Sequence, residues 1–144
     1  MSPTFAELPL RSQTIEALHA HGFLAPFAIQ EMVLPIALAD GDVIGQAKTG
    51  TGKTLAFGIP VIERVIAPND VEWADFANKG LPQVLIVVPT RELCTQVTRD
   101  IEELAANRGI RTVAVYGGRA FEPQIEALHA GVEIVVGTPG RLLD

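Results

Sequence analysis

The sequence is poor in cysteine, in cationic residues and in long apolar runs. The single cysteine, Cys94, excludes a disulfide framework and a multi-cysteine zinc site, and it fits a reducing compartment. Eleven Lys and Arg against seventeen Asp and Glu give a net charge of −6, so any contact with nucleic acid must be local rather than a broad basic surface. The longest apolar runs, 32–39 and 55–62, contain proline and are far shorter than the roughly 20 residues of a spanning helix. The start has no basic and apolar leader, so we expect a cytoplasmic protein without membrane contact.

The length and composition predict one folded domain with a buried core. The chain has 144 residues, close to the usual size of one domain. Hydrophobic residues make up 48% of the sequence and charged residues 19%, which excludes a disordered chain because enough apolar material is present to fill a core. Residues 1–40 carry two helical patterns, and residues 41–144 alternate between strand and helix patterns.

This alternation predicts an α/β fold with a parallel sheet, because parallel neighbours need helical crossover connections. The predicted strands cover 42–47, 85–88, 112–116 and 133–136, and the predicted helices cover 52–66, 91–107 and 122–130. We therefore expect a helical region at 1–40 and a ligand-binding α/β region at 41–144. The segment 67–82 is expected to be a surface connection that Trp73 anchors by packing.

The segment 47–54, AKTGTGKT, lies between a predicted strand and a predicted helix and is typical of a phosphate-binding loop. Gly50 and Gly52 allow a tight turn whose backbone N–H groups point at anionic oxygens, and the following helix adds its N-terminal dipole. Lys53 is placed to contact the β and γ phosphates, and the Thr54 hydroxyl to bind Mg²⁺, so these two are the predicted catalytic residues. The predicted nucleotide-binding residues of the loop are Ala47, Lys48, Thr49, Gly50, Thr51, Gly52, Lys53 and Thr54.

The alternative for this segment is a glycine-rich turn between a strand and a helix that binds no ligand. Ala47 also replaces the first glycine of the usual pattern, which matters if that position needs a positive φ angle. A phosphate loop alone leaves kinases, GTPases, transporters and helicases open, so the choice among them depends on further motifs.

Four further strings narrow that choice. They are GFLAPFAIQ at 22–30, PTRELCTQ at 89–96, the pair Gly117 and Gly118, and TPGR at 138–141. In order and spacing, the whole chain resembles the N-terminal RecA-like domain of DEAD-box RNA helicases. The resemblance implies a partial RecA-like domain preceded by a short helical Q-motif region.

The string at 22–30 resembles the adenine-recognising Q motif of that family. The resemblance implies nucleotide contacts by Phe23 and Gln30, and stacking by Phe5 further upstream. An amide such as Gln30 complements the amino group and ring nitrogen of adenine, and an aromatic ring such as Phe5 can cover the face of the base. A Gln on an amphipathic helix is usually only solvated, but the nearby phosphate loop favours the functional interpretation. ATP and Mg²⁺ are therefore the expected ligands.

The other three strings resemble the family's motifs Ia, GG and Ib, which implies RNA binding. Their residues follow predicted strands at the carboxyl edge, where open α/β sheets bind ligands. Backbone N–H groups near Thr90 and Pro139, with the charges of Arg91 and Arg141, suit the phosphates of one RNA strand without base identity. The implied RNA-binding residues are Pro89, Thr90, Arg91, Gly118, Thr138, Pro139, Gly140 and Arg141.

Each of these RNA assignments has a structural alternative. Thr90 alone indicates a helix N-cap, the paired glycines indicate a turn, and either arginine indicates a surface ion pair. Their joint occurrence at the family's spacing favours RNA binding over these separate explanations.

Two residues depart from the family pattern. Phe27 stands where the family usually has Thr or Ser, which implies the loss of a polar contact near the nucleotide or the phosphate loop. Cys94 stands where the family usually has Ala, and it is expected to pack as a small buried hydrophobe rather than react, because no base lies near it in the sequence.

The sequence contains no DEAD or SAT string after TPGR, and no second RecA-like domain. The resemblance therefore implies a longer intact parent in which a second RecA-like domain is a partner, and negligible hydrolysis by these 144 residues alone. It also implies poor stability, because in the family the strands leading to DEAD and SAT lie between the phosphate-loop strand and the strand ending at Pro89.

Three functions compete at this point. The first is the ATP- and RNA-binding part of an ATP-dependent DEAD-box RNA helicase, and the second is a non-catalytic module that holds adenine nucleotide or RNA. The third, a phosphate-loop enzyme unrelated to RNA such as a kinase, is disfavoured by Gln30 and by TPGR at 138–141.

Overall fold

The structure, a computed structural model, describes residues 3–48 and 52–144. It divides into two compact units, the helical unit Met1–Arg64 and the sheet unit Val65–Asp144, and each is described by itself. The division expected from the sequence, 1–40 and 41–144, stays a prediction. No helix in the described part of the chain is both long enough and apolar enough to span a membrane.

The described residues of the helical unit form a 3-10 turn, Phe5–Glu7, and three helices: α1 at Ser12–Ala20, α2 at Ala28–Leu38 and α3 at Lys53–Arg64. Both helices predicted before residue 40 are therefore present. Helix α1 ends at a left-handed glycine, Gly22, whose N–H donates to the His19 carbonyl at 3.0 Å. The core of the unit is apolar and fully covered, and its largest members are Phe5, Leu18, Leu34, Ile59 and Ile62.

Polar contacts fix the C-terminal end of α3 to the other two helices. The Thr14 hydroxyl and the Arg11 backbone N–H both donate to the Glu63 carboxylate, at 2.5 and 3.2 Å. Arg64 Nη2 lies 2.9 Å from both the Ala37 carbonyl and an Asp40 carboxylate oxygen. Because a helix is rigid over three turns, holding this end also restricts where the first turn of α3 can lie.

The strand predicted at Asp42–Ala47 is wrong. Residues 41–48 have no regular structure, and Ile44 is fully exposed. The apolar composition of the segment favours a strand, but composition alone is not enough. A strand also needs a neighbouring strand to complete its hydrogen-bond ladder. Among the described residues of the helical unit, no strand is available to pair with it.

The sheet unit contains a three-stranded parallel sheet in the order β1-β3-β2. Strand β1 is Val84–Val87, β2 is Thr112–Val115 and β3 is Ile134–Gly137. The central strand β3 is buried along its whole length. The connecting helices are α4 at Arg91–Ala105 and α5 at Phe121–Ala130, and α6 at Pro139–Leu143 follows the last strand. The prediction of an α/β fold with a parallel sheet is confirmed.

Two ion pairs with buried carboxylates lie on the side of the sheet where the strands begin. Arg108, which is 2% exposed, donates to the Val65 carbonyl at 2.6 Å and pairs with the Asp70 carboxylate. The Glu133 carboxylate is fully buried and pairs with Arg111 at 2.5 Å, and this hydrogen bond raises the pKa of the Arg111 guanidinium. The first pair joins the segment before β2 to the segment before β1, and the second joins the starts of β2 and β3.

The connection from 67 to 82 includes a 3-10 turn, Val71–Asp75. Trp73 is half-buried there, with the Arg111 guanidinium 5.9 Å from its ring centroid and the Phe76 ring at 6.0 Å. The predicted packing of Trp73 is therefore present, and it uses a cation–π contact as well as an aromatic neighbour.

Candidate functional site

The first turn of α3 carries the described part of the phosphate-loop motif. Gly52 has a φ of +83°, and a Cβ at this position would overlap Gln30 Nε2, so only glycine fits. Lys53 is exposed and Thr54 is half-buried in the first turn of the helix, where backbone N–H groups lack helical partners. Ala47 and Lys48 precede the turn, half-buried and exposed respectively. The predicted contacts by Thr49, Gly50 and Thr51 lie outside the described residues.

Gln30 is buried, with 1% of its surface exposed, and both ends of its amide are engaged. Its Oε1 accepts from the Phe27 backbone N–H at 2.9 Å, which caps the start of α2. Its Nε2 donates to the Gly52 carbonyl at 2.9 Å, which links α2 to the phosphate-loop motif. A base recognised by Gln30 would therefore have to replace at least one of these two hydrogen bonds.

The three phenylalanines near this site differ in exposure. Phe5 is fully buried and offers no open ring face to a base in this structure. Phe23 and Phe27 are 37% and 52% exposed, and the Phe27 ring lies against Gly52. Sequence reasoning treated Phe27 only as a departure, but the structure places this ring next to the glycine of the loop. The stacking role of Phe5 stays a prediction.

A second group of predicted residues lies at the carboxyl edge of the sheet. The ladder continues one residue beyond the strands, since Val88 N–H donates to the Gly137 carbonyl and Thr138 N–H to the Val115 carbonyl, both at 3.0 Å. The structure therefore brings together the three segments that the sequence placed after strands. They are 89–91, 116–119 and 138–141.

Thr90 begins α4 as an N-cap. Its hydroxyl accepts from Leu93 N–H at 3.2 Å, so the simple capping role is present. Pro89, Thr90 and Arg91 are all exposed, and α4 is 15 residues long, so its start retains open N–H groups and a full dipole. This segment could hold an anion while it also caps the helix.

The segment after β2 turns at Gly118, which has a φ of +80°. A Cβ at Gly118 would overlap Arg91 Nη1, so the guanidinium of Arg91 lies directly against this turn. Arg119 follows, exposed, with its guanidinium 5.9 Å from the ring centroid of Tyr116. Sequence reasoning missed Arg119, although its position directly after the paired glycines was visible.

The segment after β3 exposes fewer donors than the segment after β1, and RNA contacts by its residues stay a prediction. Helix α6 has only five residues and begins at Pro139, which has no N–H, so the expected N–H cluster near Pro139 is weak. The Arg141 side chain is only 14% exposed, unlike Arg91. Thr138 is half-buried, and Pro139 and Gly140 are exposed.

Cys94 is buried under this edge, with its Sγ 3.3 Å from the Val136 carbonyl oxygen. Burial raises the pKa of the Cys94 thiol above its ordinary value of 9.0. A buried, protonated thiol fits the expected packing role and not a nucleophile.

Metal binding was expected at Thr54 alone. Within residues 3–48 and 52–144, no group of three or more His, Cys, Asp or Glu side chains could hold a metal ion. One hydroxyl fits Mg²⁺ only as a partner of phosphate oxygens and water, which is the usual way this ion accompanies a nucleotide.

Comparisons with known proteins agree on one family. Residues 27–144 match the family described as DEAD/DEAH box helicase. A curated relative, the DEAD-box ATP-dependent RNA helicase CshA of Geobacillus kaustophilus, is 42% identical over 141 residues. That match covers 98% of this chain and 28% of the relative. The crystal structure of a DEAD box protein from the hyperthermophile Methanococcus jannaschii is 40% identical with a TM-score of 0.85, and the match covers all of this chain and 37% of that one.

Proposed function

Because this chain belongs to the DEAD/DEAH box helicase family, we propose that it is the ATP- and RNA-binding N-terminal part of a DEAD-box RNA helicase. The chain spans between a quarter and two fifths of the relatives it matches, so the unwinding of RNA duplexes is proposed for the intact protein with its second RecA-like domain. One observation carries the proposal: Gln30 Nε2 donates to the Gly52 carbonyl and so joins the adenine-recognising motif to the phosphate loop.

ATP binding is supported by the chemistry at the start of α3. Lys53 is exposed at the first helical position, where its ammonium and the unpaired N–H groups favour the outer phosphates. The Thr54 hydroxyl follows it and would share Mg²⁺ with the phosphate oxygens. The remaining loop residues, Ala47 to Gly52, would supply backbone N–H groups to the same anion.

Adenine selectivity is proposed for Gln30. When its amide turns toward the base, it exchanges a backbone carbonyl and a backbone N–H for the ring nitrogen and amino group of adenine. The Gln30 amide then makes as many hydrogen bonds with adenine as it does with the backbone, but fewer with guanine, which has a carbonyl oxygen where adenine has its amino group. Phe23 and Phe27 are partly exposed and belong to this motif. Phe5 is buried, so it would stack on the base only after the residues that cover its ring move.

RNA binding is proposed for the carboxyl edge of the sheet. Pro89, Thr90, Gly118 and Gly140 expose backbone there, and Arg91 adds an exposed cation. Contacts of this kind position a sugar–phosphate backbone and carry no base identity. They also reconcile RNA binding with a net charge of −6, because the contact is confined to one edge.

Calorimetric titration with ATP, GTP and AMP tests the nucleotide site. Lys53→Ala should weaken ATP binding by about ten- to a hundredfold, since a hydrogen bond to a charged group contributes about 1.5–3 kcal/mol. AMP binding should change little, because the ammonium serves the outer phosphates. The matched control is Lys79→Ala, another exposed lysine, which hydrogen-bonds the Ala74 carbonyl in the sheet unit. Equal losses for AMP and ATP would contradict the assignment.

Gln30→Ala tests the base contact in the same titrations. We expect the preference for ATP over GTP to fall while phosphate contacts remain. Unchanged discrimination in a folded variant would remove the adenine argument.

A further inference from the structure

The Arg141 side chain is held on several sides within the sheet unit. Its Nη1 donates to the Arg119 carbonyl at 3.2 Å and to Gln124 Oε1 at 3.4 Å. The Phe121 ring centroid lies 5.3 Å from its Cζ, and an Asp144 carboxylate oxygen lies 3.3 Å from its Nε. That ion pair lacks hydrogen-bond geometry, and Nε is one of the buried atoms without a hydrogen bond among the described residues. The guanidinium is thus committed to its own chain.

These contacts join different segments. Arg119 belongs to the turn after β2, Gln124 and Phe121 belong to α5, and Arg141 itself lies on α6 after β3. Gln124 Nε2 also donates to the Tyr116 carbonyl at 3.1 Å. The Gln124 side chain therefore contacts both Arg141 and the residue that directly follows β2. Helix α6 approaches closely because a Cβ at Gly137 would lie 2.6 Å from Leu142 Cγ.

The other two arginines at this edge are different. Arg91 and Arg119 are exposed, and no ion pair with either is found in the part of the chain that the structure describes. Nearby carboxylates are those of Glu92, exposed in the first turn of α4, and Glu122, exposed in the first turn of α5. The edge therefore has two exposed arginines and one arginine that is mostly buried.

We propose that Arg141 is a positioning residue and that Arg119, not Arg141, contacts an RNA phosphate beside Arg91. The proposal rests on the proposed RNA-binding function and assigns different tasks to its arginines. Arg141 fixes the turn 117–119 against α5 and α6, which sets the spacing of the exposed backbone. Arg119 extends from that turn over the Tyr116 ring, which holds the guanidinium outward at a small entropic cost.

The salt dependence of binding to single-stranded polyuridylate separates the two tasks. Each phosphate contact contributes about 0.7 to the slope of log affinity against log salt concentration. Arg119→Gln should lower that slope by about 0.7, as should the control Arg91→Gln. Arg141→Gln should weaken binding about tenfold with an unchanged slope, since two hydrogen bonds are lost rather than a phosphate contact.

Arg141→Lys gives a second test, because lysine keeps the charge but lacks the planar guanidinium, whose Nη1 donates to both Arg119 and Gln124 and whose Cζ lies over the Phe121 ring. A positioning role predicts that lysine binds RNA no better than glutamine at this position. Recovery of affinity by Arg141→Lys, or a slope lowered by Arg141→Gln, would overturn the proposal. So would an unchanged slope in Arg119→Gln.

Amide hydrogen exchange gives a readout that needs no RNA. Arg141→Gln should speed exchange at Gly117, Gly118 and Arg119, whereas Arg119→Gln should leave the first two unchanged. Trp73 fluorescence at the opposite end of the sheet reports whether each variant is folded. If the unaltered chain fails to bind the RNA, the proposed function is wrong, while exchange still decides whether Arg141 organises the turn. Unchanged exchange in Arg141→Gln would refute the positioning role.

Discussion

The two units organise their candidate sites in opposite ways. In the helical unit, the phosphate motif is one continuous segment, and a single side chain, Gln30, links it to the neighbouring helix. In the sheet unit, the candidate RNA contacts come from three short segments that only the parallel strands bring together. The continuous motif is conspicuous in the sequence although, of its described residues, only Lys53 and Thr54 lie in a helix. The dispersed site is visible in the sequence only as three separate short strings, each of which taken alone indicates a helix cap, a turn or a surface ion pair.

The sites also differ in what stabilises them. The sheet unit is fixed at its amino end by two ion pairs whose carboxylates are buried, Arg108 with Asp70 and Arg111 with Glu133. The helical unit relies on apolar packing, hydrogen bonds and ion pairs that are more exposed, such as Arg64 with Asp40, and the segment 41–48 leaves Ile44 exposed. The dependence on specific polar contacts should therefore be stronger in the sheet unit.

The largest expected effect is on the sheet unit. Arg108→Ala should lower its free energy of unfolding by about 3 kcal/mol or more, because the Asp70 side chain, 6% exposed, would lose a buried cationic partner. Urea unfolding followed by Trp73 fluorescence measures this, since the chain has one tryptophan and it lies in this unit. The control Arg99→Ala removes an exposed arginine from α4 and should change stability by less than about 0.5 kcal/mol. Similar losses in both variants would show that the pair of Arg108 with Asp70 does not contribute more stability than an exposed arginine.

The next effect is on the helical unit. Gln30→Ala should destabilise it by about 2 kcal/mol, because the Phe27 N–H and the Gly52 carbonyl each lose a hydrogen-bond partner. Urea unfolding monitored by far-ultraviolet circular dichroism follows the helices. Gln46→Ala, at an exposed glutamine in the same unit, is the matched control. A loss no larger than in the control would show that the Gln30 link contributes nothing to the fold.

A smaller effect is expected at the edge of the sheet. Thr90→Ala should lower stability by about 1 kcal/mol through loss of the N-cap of α4, whereas Thr90→Ser should retain it. Both variants are compared by urea unfolding at fixed pH. If Thr90→Ser loses as much stability as Thr90→Ala, the capping hydroxyl is not what stabilises the start of α4.

The smallest effect appears only at high pH. Because burial raises the pKa of Cys94, the folded chain holds the thiol proton more tightly than the unfolded chain. This stabilisation is complete below the ordinary pKa of 9.0 and is lost as pH rises through the higher folded value. Unfolding free energies measured across that range should fall more steeply for the unaltered chain than for Cys94→Ala. Parallel pH profiles would show that the thiol does not titrate differently on folding.

Much of the fold follows from local patterns in the sequence. The continuous apolar run ending at Val88 and the cap at Thr90 predicted β1 and α4 because burial and capping are local signals. The strand at 42–47 was wrong because pairing depends on a neighbour and not on composition. The family that the order and spacing of the motifs indicated is confirmed by the match of residues 27–144.

Side-chain partners were less predictable than elements. No pattern in the sequence predicted that Arg141 would face Gln124 rather than solvent, because these two residues belong to different helices and meet only in the folded chain. The same holds for the burial of Phe5 and the exposure of Phe27, which packing decides. One signal was available for Gln30, which lies three residues after the residue that precedes α2, the spacing at which glutamine caps a helix.

The close approach of Gly52 to Gln30 has a consequence for how this chain can diverge. Any side chain at position 52 would displace the glutamine amide and also strain a left-handed backbone. Replacement of Gln30 alone removes the hydrogen bond without relieving that strain. Descendants of this sequence are therefore expected to inherit the two positions together, with glycine the more constrained of the pair although it contributes no functional group.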